Sequence, residues 1–147
     1  MDIQIERMDI PAANQETSLI LQTEFDAPQK PAVELKYYCD PDGLRDVRVQ
    51  SRQFDNSGRS EWNVLAKADV TALASLRTVR RGESVYFLYR EKIDSDWKLL
   101  TGVHIGPGAV APDGLRLMLH TGGLDRESQI WLQRIRVTAD EASANNK

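Results

Sequence analysis

The sequence predicts an all-β domain, an antiparallel two-sheet sandwich, and three observations carry that prediction. Apolar and polar residues alternate with period two over nine short segments. Turn-forming clusters separate those segments at regular intervals, as they do in sandwiches and barrels. No helical period long enough for a crossover lies between them, and a parallel sheet would need one.

The predicted strands cover residues 18–25, 32–39, 44–54, 61–68, 76–80, 83–91, 97–105, 114–121 and 129–138. Between them stand Asp42-Gly43, Asn56-Ser57-Gly58, Arg81-Gly82, Asp94-Ser95-Asp96, Asp113-Gly114 and Gly122-Gly123, each with the residue types that tight turns favour. Residues 69–76 are expected to make a helical turn or loop: Asp69 is a candidate cap, and Val70, Leu73 and Ala74 would form its apolar side. The sandwich is expected to span residues 1–139 as a single domain, with 140–147 a polar tail.

Parity sorts the faces. Leu35, Tyr37, Val47, Val49, Val85, Phe87, Leu117, Leu119, Trp131 and Ile135 fall on the apolar side of their strands and are expected in the core. Truncating Leu117 to Ala is then expected to cost about 2–5 kcal/mol. The opposite parity carries Arg, aromatic and long apolar side chains rather than a clean polar set.

A chain of 147 residues, 41% hydrophobic and 28% charged, is long enough to bury a core and too apolar for disorder. A formal net charge of −3 argues against general nucleic-acid binding. Thirteen of the nineteen basic residues are Arg, so the side to which those planar forks point matters more than their total. The single cysteine, Cys39, excludes an internal disulfide and shares the core parity of Leu35 and Tyr37. No stretch has the length of a membrane span, and the segment MDIQIERMDI lacks the pattern of a signal peptide. The chain reads as an excised domain of a longer product, with its compartment left open.

Each motif that suggests chemistry has a plainer explanation. The GPGAVA stretch at 106–111 matches a dinucleotide fingerprint on paper, but a Pro-Asp-Gly turn and a strand follow where a helix is required. Cys39, His104 and His120 offer a thiol and two imidazoles without an evident orienting acid. The pairs Glu24/Asp26 and Glu91/Asp94 sit at strand ends rather than in mid-strand, where facing glycosidase carboxylates would be expected. Asp40, Asp42 and Asp46 make a weak calcium candidate, since three carboxylates fall short of the six to eight oxygens that the ion takes. Arg77, Arg80 and Arg81 are expected to pair with Glu83 and Glu91 along a solvated hairpin. No cofactor and no catalytic residue is expected.

The run LRTVRRGESVYFLYRE at 76–91, followed by DWKLL, GLRLMLHTGG and IWLQRIRV, resembles a domain-of-unknown-function family of planctomycete bacteria. Those domains look like distant relatives of concanavalin A-like lectin and laminin G-like sandwiches. The resemblance spans about residues 17–139. It implies a jelly-roll sandwich and brings no catalytic residues with it, because the carboxylate signature of glucanase relatives is absent.

The function expected is that of a non-catalytic, lectin-like module that binds carbohydrate, tilted toward anionic glycans by its arginines. The candidate ligand-binding residues are Tyr38, Arg48, Arg52, Tyr86, Arg90, His120 and Arg134, with Met118 beside them, all on the non-core parity. Aromatic rings offer platforms for sugar C–H faces, and guanidinium forks bind oxygens. The alternative is a structural or interaction domain whose mixed face docks on a neighbouring domain or a second copy. Neither nucleic acid nor membrane is expected as a partner.

Overall fold

The computed structural model describes residues 1–9, 16–25, 32–54, 57–105, 112–121 and 127–138. Ten strands form: β1 (Asp2–Asp9), β2 (Thr17–Phe25), β3 (Ala32–Cys39), β4 (Arg45–Phe54), β5 (Ser60–Asp69), β6 (Ser75–Arg81), β7 (Ser84–Arg90), β8 (Lys98–His104), β9 (Pro112–His120) and β10 (Gln129–Arg136). They build two five-stranded sheets, ordered β10-β1-β6-β7-β8 and β5-β4-β3-β2-β9, with every pairing antiparallel. The expected all-β sandwich is the fold, and no helix occurs among the described residues.

The strand that sequence patterning missed is β1. Ile3 and Ile5 alternate with Asp2, Gln4 and Glu6, and both isoleucines are buried. The strand lies between β6 and β10, so the first and last of the described strands are neighbours.

Hairpin chemistry explains the meanders. Gly82 opens the two-residue turn between β6 and β7 at φ +59°, a conformation glycine adopts without a Cβ penalty. Gly43, at φ +84°, closes the β3–β4 turn by donating to the Asp40 carbonyl (3.0 Å), while the Asp40 Oδ1 accepts from the Leu44 amide (2.8 Å). Residues 70–74 form no helix. They carry the chain from the second sheet to the first, with Val70, Leu73 and Ala74 packed inward. Their backbone is tied down by Val70 donating to Arg45, Ala74 to Arg90, and Ile5 to Ala74.

The core lies between the sheets, where Leu19, Leu21, Leu35, Tyr37, Val47, Val49, Leu76, Val85 and Phe87 are buried. Each such side chain contributes about 1.5–3 kcal/mol through the area it removes from water. Cys39 is buried among them, and its thiol donates to the Asp40 carbonyl.

Four of the expected core residues are corrected. Leu119 and Trp131 are each 38% exposed, Ile135 is 51% exposed, and Leu117 is only half-buried. All four lie on the edge strands β9 and β10, which pair on one side only. In β10 the parity itself changes, because register shifts between Gln4 and Arg7 put Leu132 opposite Ile5 and Trp131 opposite Arg7. Ile130 and Leu132 therefore pack on the core, and Trp131 turns out beneath the Arg7 guanidinium, 4.7 Å from its ring. A bulge inserts one residue and reverses every side chain beyond it.

Candidate functional site

The outward face of the second sheet is made of side chains stacked in rows across the strands, set by the register. One row runs Trp62, Arg52, Ala32, Glu24, Gly114 from β5 to β9; the next runs Val64, Gln50, Glu34, Gln22, Arg116. A third contains Arg48, Lys36, Ile20 and Met118, and a fourth contains Asp46, Tyr38, Ser18 and His120. Residues from all four rows, with Glu16 at the margin, line an open cavity of about 500 Å³, within the size range of small-ligand sites.

The floor of this cavity is polar and sits deep in the sheet face. Every residue of β2 is buried, including Ile20, Gln22 and Glu24, which line the cavity floor between the flanking strands β3 and β9. Glu24 receives two arginines. The Arg116 Nη2 donates to its Oε2 at 3.0 Å, and the Arg52 Nη2 lies 3.6 Å from its Oε1. Arg52 reaches it across Ala32, whose small side chain leaves the path open. The same guanidinium lies 5.8 Å from the Trp62 ring and 5.4 Å from the Phe54 ring. Lys36 pairs with Glu16 at 3.3 Å, and the His120 Nδ1 donates to the Glu16 carbonyl at 3.0 Å.

Glu34 differs from Glu24. Its Oε1 accepts from the neutral Gln22 amide at 3.0 Å. Burial raises its carboxyl above the ordinary value, and Lys36 and the Gln22 hydrogen bond draw it partly back.

The structure divides the expected ligand-binding residues into three groups. Arg52 and His120 line the cavity, as does Met118. Tyr38 and Arg48 share the face but occupy each other: the guanidinium stacks 3.5 Å from the phenol ring and is clamped by Asp46. Burial and Glu16 push the Tyr38 phenol up, and the Asp46 hydrogen bond does the same for Arg48. Tyr86, Arg90 and Arg134 belong to the other sheet and face away from this cavity. Parity tells which side of a strand a residue takes; it is silent on which of two sheets the strand joins.

On that other sheet, Arg77 and Arg90 stack on Trp97 at 4.0 and 4.8 Å. Arg77 also pairs with Asp2 at 2.5 Å, and Arg90 donates to the Ser75 hydroxyl at 3.1 Å. Within the basic run, Arg77 thus turns to Asp2 and Trp97 rather than to Glu91, and Arg80 donates to the Gly82 carbonyl of its own hairpin at 3.1 Å. Glu91 takes Lys98 instead, and Glu83 approaches His104 at 3.9 Å. Tyr86 lies so close over Gly102 that a Cβ there would meet its ring at 3.1 Å.

The remaining sequence candidates do not assemble. Cys39 is buried, His104 is on the first sheet and His120 on the second. Asp40 holds its own turn, Asp42 is exposed there, and Asp46 is held by Arg48. Among the described residues no three His, Cys, Asp or Glu side chains are grouped as a metal site. The GPGAVA stretch, Asp26 and residues 140–147 lie outside the described residues.

Beyond Arg52, Met118 and His120, the cavity is lined by Glu16, Ile20, Gln22, Glu24, Glu34, Lys36, Gln50, Trp62 and Arg116, none of them a binding candidate from the sequence. Those within strands share the non-core parity, so the alternation carries the signal, but it does not say which strands adjoin to make a cavity.

The sequence profile of a family described as "Protein of unknown function (DUF1583) C domain" matches residues 2–146, nearly the whole chain. The chain belongs to that family. The match takes in β1 and both sheets, so the cavity lies within the DUF1583 C domain. No curated protein matches the chain, and no solved structure matches it.

Proposed function

We propose that this DUF1583 C domain is a non-catalytic carbohydrate-binding module whose site is the outward face of the β5-β4-β3-β2-β9 sheet. The observation that carries this reading is the open cavity of about 500 Å³, with an indole at one end and amide, carboxyl and guanidinium groups across its floor. Sugars present alternating C–H patches and hydroxyls. A half-exposed Trp62 suits the first and the Gln22, Glu34 and Gln50 tips suit the second. The concanavalin A-like and laminin G-like kinship, and the planctomycete origin that the hairpin run resembles, belong to the same proposal.

The test is retardation of the protein in gels containing soluble polysaccharides, followed by calorimetry on any polymer that retards it. Trp62→Ala should abolish retardation while leaving the melting temperature within a few degrees, because the side chain is on an edge strand. Retardation unchanged in Trp62→Ala would place any sugar site elsewhere.

One observation favours the second reading, a docking domain. Leu115 and Leu119 on β9, Ile135 on β10 and Val137 just after it are exposed, and exposed apolar side chains on edge strands offer a docking surface. Light scattering across a concentration series distinguishes self-association through these strands from a monomer that binds sugar.

A further inference from the structure

The cavity's charges are balanced within the cavity itself, and this bears on which carbohydrate it takes. Three carboxylates and three cations line it. Lys36 is paired with Glu16, and Arg52 and Arg116 converge on Glu24. Arg52 and Arg116 share one carboxylate, and Glu34 in the next row supplies the third negative charge, so an anionic ligand that approaches the arginines competes with Glu24 and faces Glu34. Glu34 sits mid-floor, hydrogen-bonded by a neutral amide, and repels a second carboxylate or sulfate.

Register adds a direction. Gln50, Glu34 and Gln22 stand side by side on β4, β3 and β2, forming a comb of planar polar groups at right angles to the strands. Five strands span four inter-strand steps, about 19 Å, or about four pyranose rings in line. Trp62 stands at the β5 end and Arg116 at the β9 end.

We propose that the site binds a neutral polysaccharide chain lying across the strands, its hydroxyls read by the Gln50–Glu34–Gln22 row. This rests on the carbohydrate reading above and narrows it from glycans in general, and from the anionic glycans expected of the arginine content, to uncharged ones. Amide and carboxylate tips each engage pairs of hydroxyls, which neutral pyranoses present on adjacent ring carbons.

The intact protein should be titrated with neutral polymers (xyloglucan, galactomannan, laminarin) and with two charged ones, polygalacturonate and dextran sulfate. The expected result is binding to a neutral polymer that changes less than about twofold when salt rises tenfold, since no ion pair is made with the ligand. Affinity for oligosaccharides of that polymer should climb to about four units and then level off. Gln50→Ala should weaken binding about tenfold without a shift in melting temperature. Glu24→Gln removes the carboxylate shared by Arg52 and Arg116, and should confer salt-sensitive binding to polygalacturonate.

Wild-type binding to a charged polymer with neutral ones ignored would overturn the neutral assignment and leave the carbohydrate site standing. A folded Glu24→Gln without new affinity for polygalacturonate would overturn the charge-balance argument. Unaltered binding in Gln50→Ala would overturn the path across the row. Failure to bind any of the five polymers would remove the carbohydrate reading together with this one.

Discussion

Glu34 is 5% exposed in the middle of a sheet face, and the effect of burying a carboxylate can be followed through its proton. Because burial raises its pKa above 4.5, the folded protein holds that proton more tightly than the unfolded chain does. Its contribution to stability is fully present below about pH 4.5 and is lost as pH rises through the higher folded value. Glu34→Gln keeps the shape and removes the charge. The variant should therefore gain melting temperature relative to the parent at pH 7 and gain less at pH 4. Equal differences at both pH values would show that burial costs this carboxylate nothing. Glu24 is the contrast, a carboxylate kept at 8% exposure by two guanidinium groups. The two acids come from neighbouring strands and similar burial, and it is their partners that distinguish them.

At the scale of strands, position within the sheet decides how much a side chain contributes. Leu21 and Leu117 are directly paired on β2 and β9 and both face the core. Leu21 is 0% exposed because β2 is flanked on both sides and covered on both faces, whereas Leu117 lies on an edge and is half-buried. Leu21→Ala should cost about 3–5 kcal/mol in denaturant unfolding, and Leu117→Ala no more than about 2 kcal/mol. Equal costs would mean that β9 is covered as fully as β2. The same distinction explains why Trp131, Leu119 and Ile135 were misplaced by alternation alone. Edge strands keep the pattern of interior strands without their cover, and the extra residue Gln133, between the partners of Gln4 and Ile5, reverses the pattern partway along β10. The strand β1 shows in the sequence only as the alternation of Ile3 and Ile5, and two apolar residues make a weak period.

At the scale of the molecule, the sandwich has two outward faces on opposite sides, and they differ in kind. The face of the second sheet opens into a cavity, while the face of the first is closed on itself by the Arg77–Trp97–Arg90 stack and its ties to Asp2 and Ser75. Tyr86 and Arg90 are on the closed face. Changing both to Ala should lower stability by about 1–2 kcal/mol through lost stacking and packing, and leave polysaccharide binding as in the parent. Loss of binding in a folded double variant would mean that the first sheet carries the site.

The sequence by itself determined the all-β class, the hairpins at Asp42-Gly43 and Arg81-Gly82, and the interior core around Leu35, Tyr37, Val47, Val49, Val85 and Phe87. These follow from local chemistry: period two, positive-φ turn residues, and the cost of wetting an apolar face. Tertiary structure alone decided which strands share a sheet, and so which of the outward side chains meet. Arg52, His120, Glu34 and Gln50 come together across the β5-β4-β3-β2-β9 sheet, while Tyr86, Arg90 and Arg134 are carried to the other side. The physical reason is that alternation is a property of one strand, whereas a binding face is a property of strand order, set by connections that cross between sheets and leave no period in the chain.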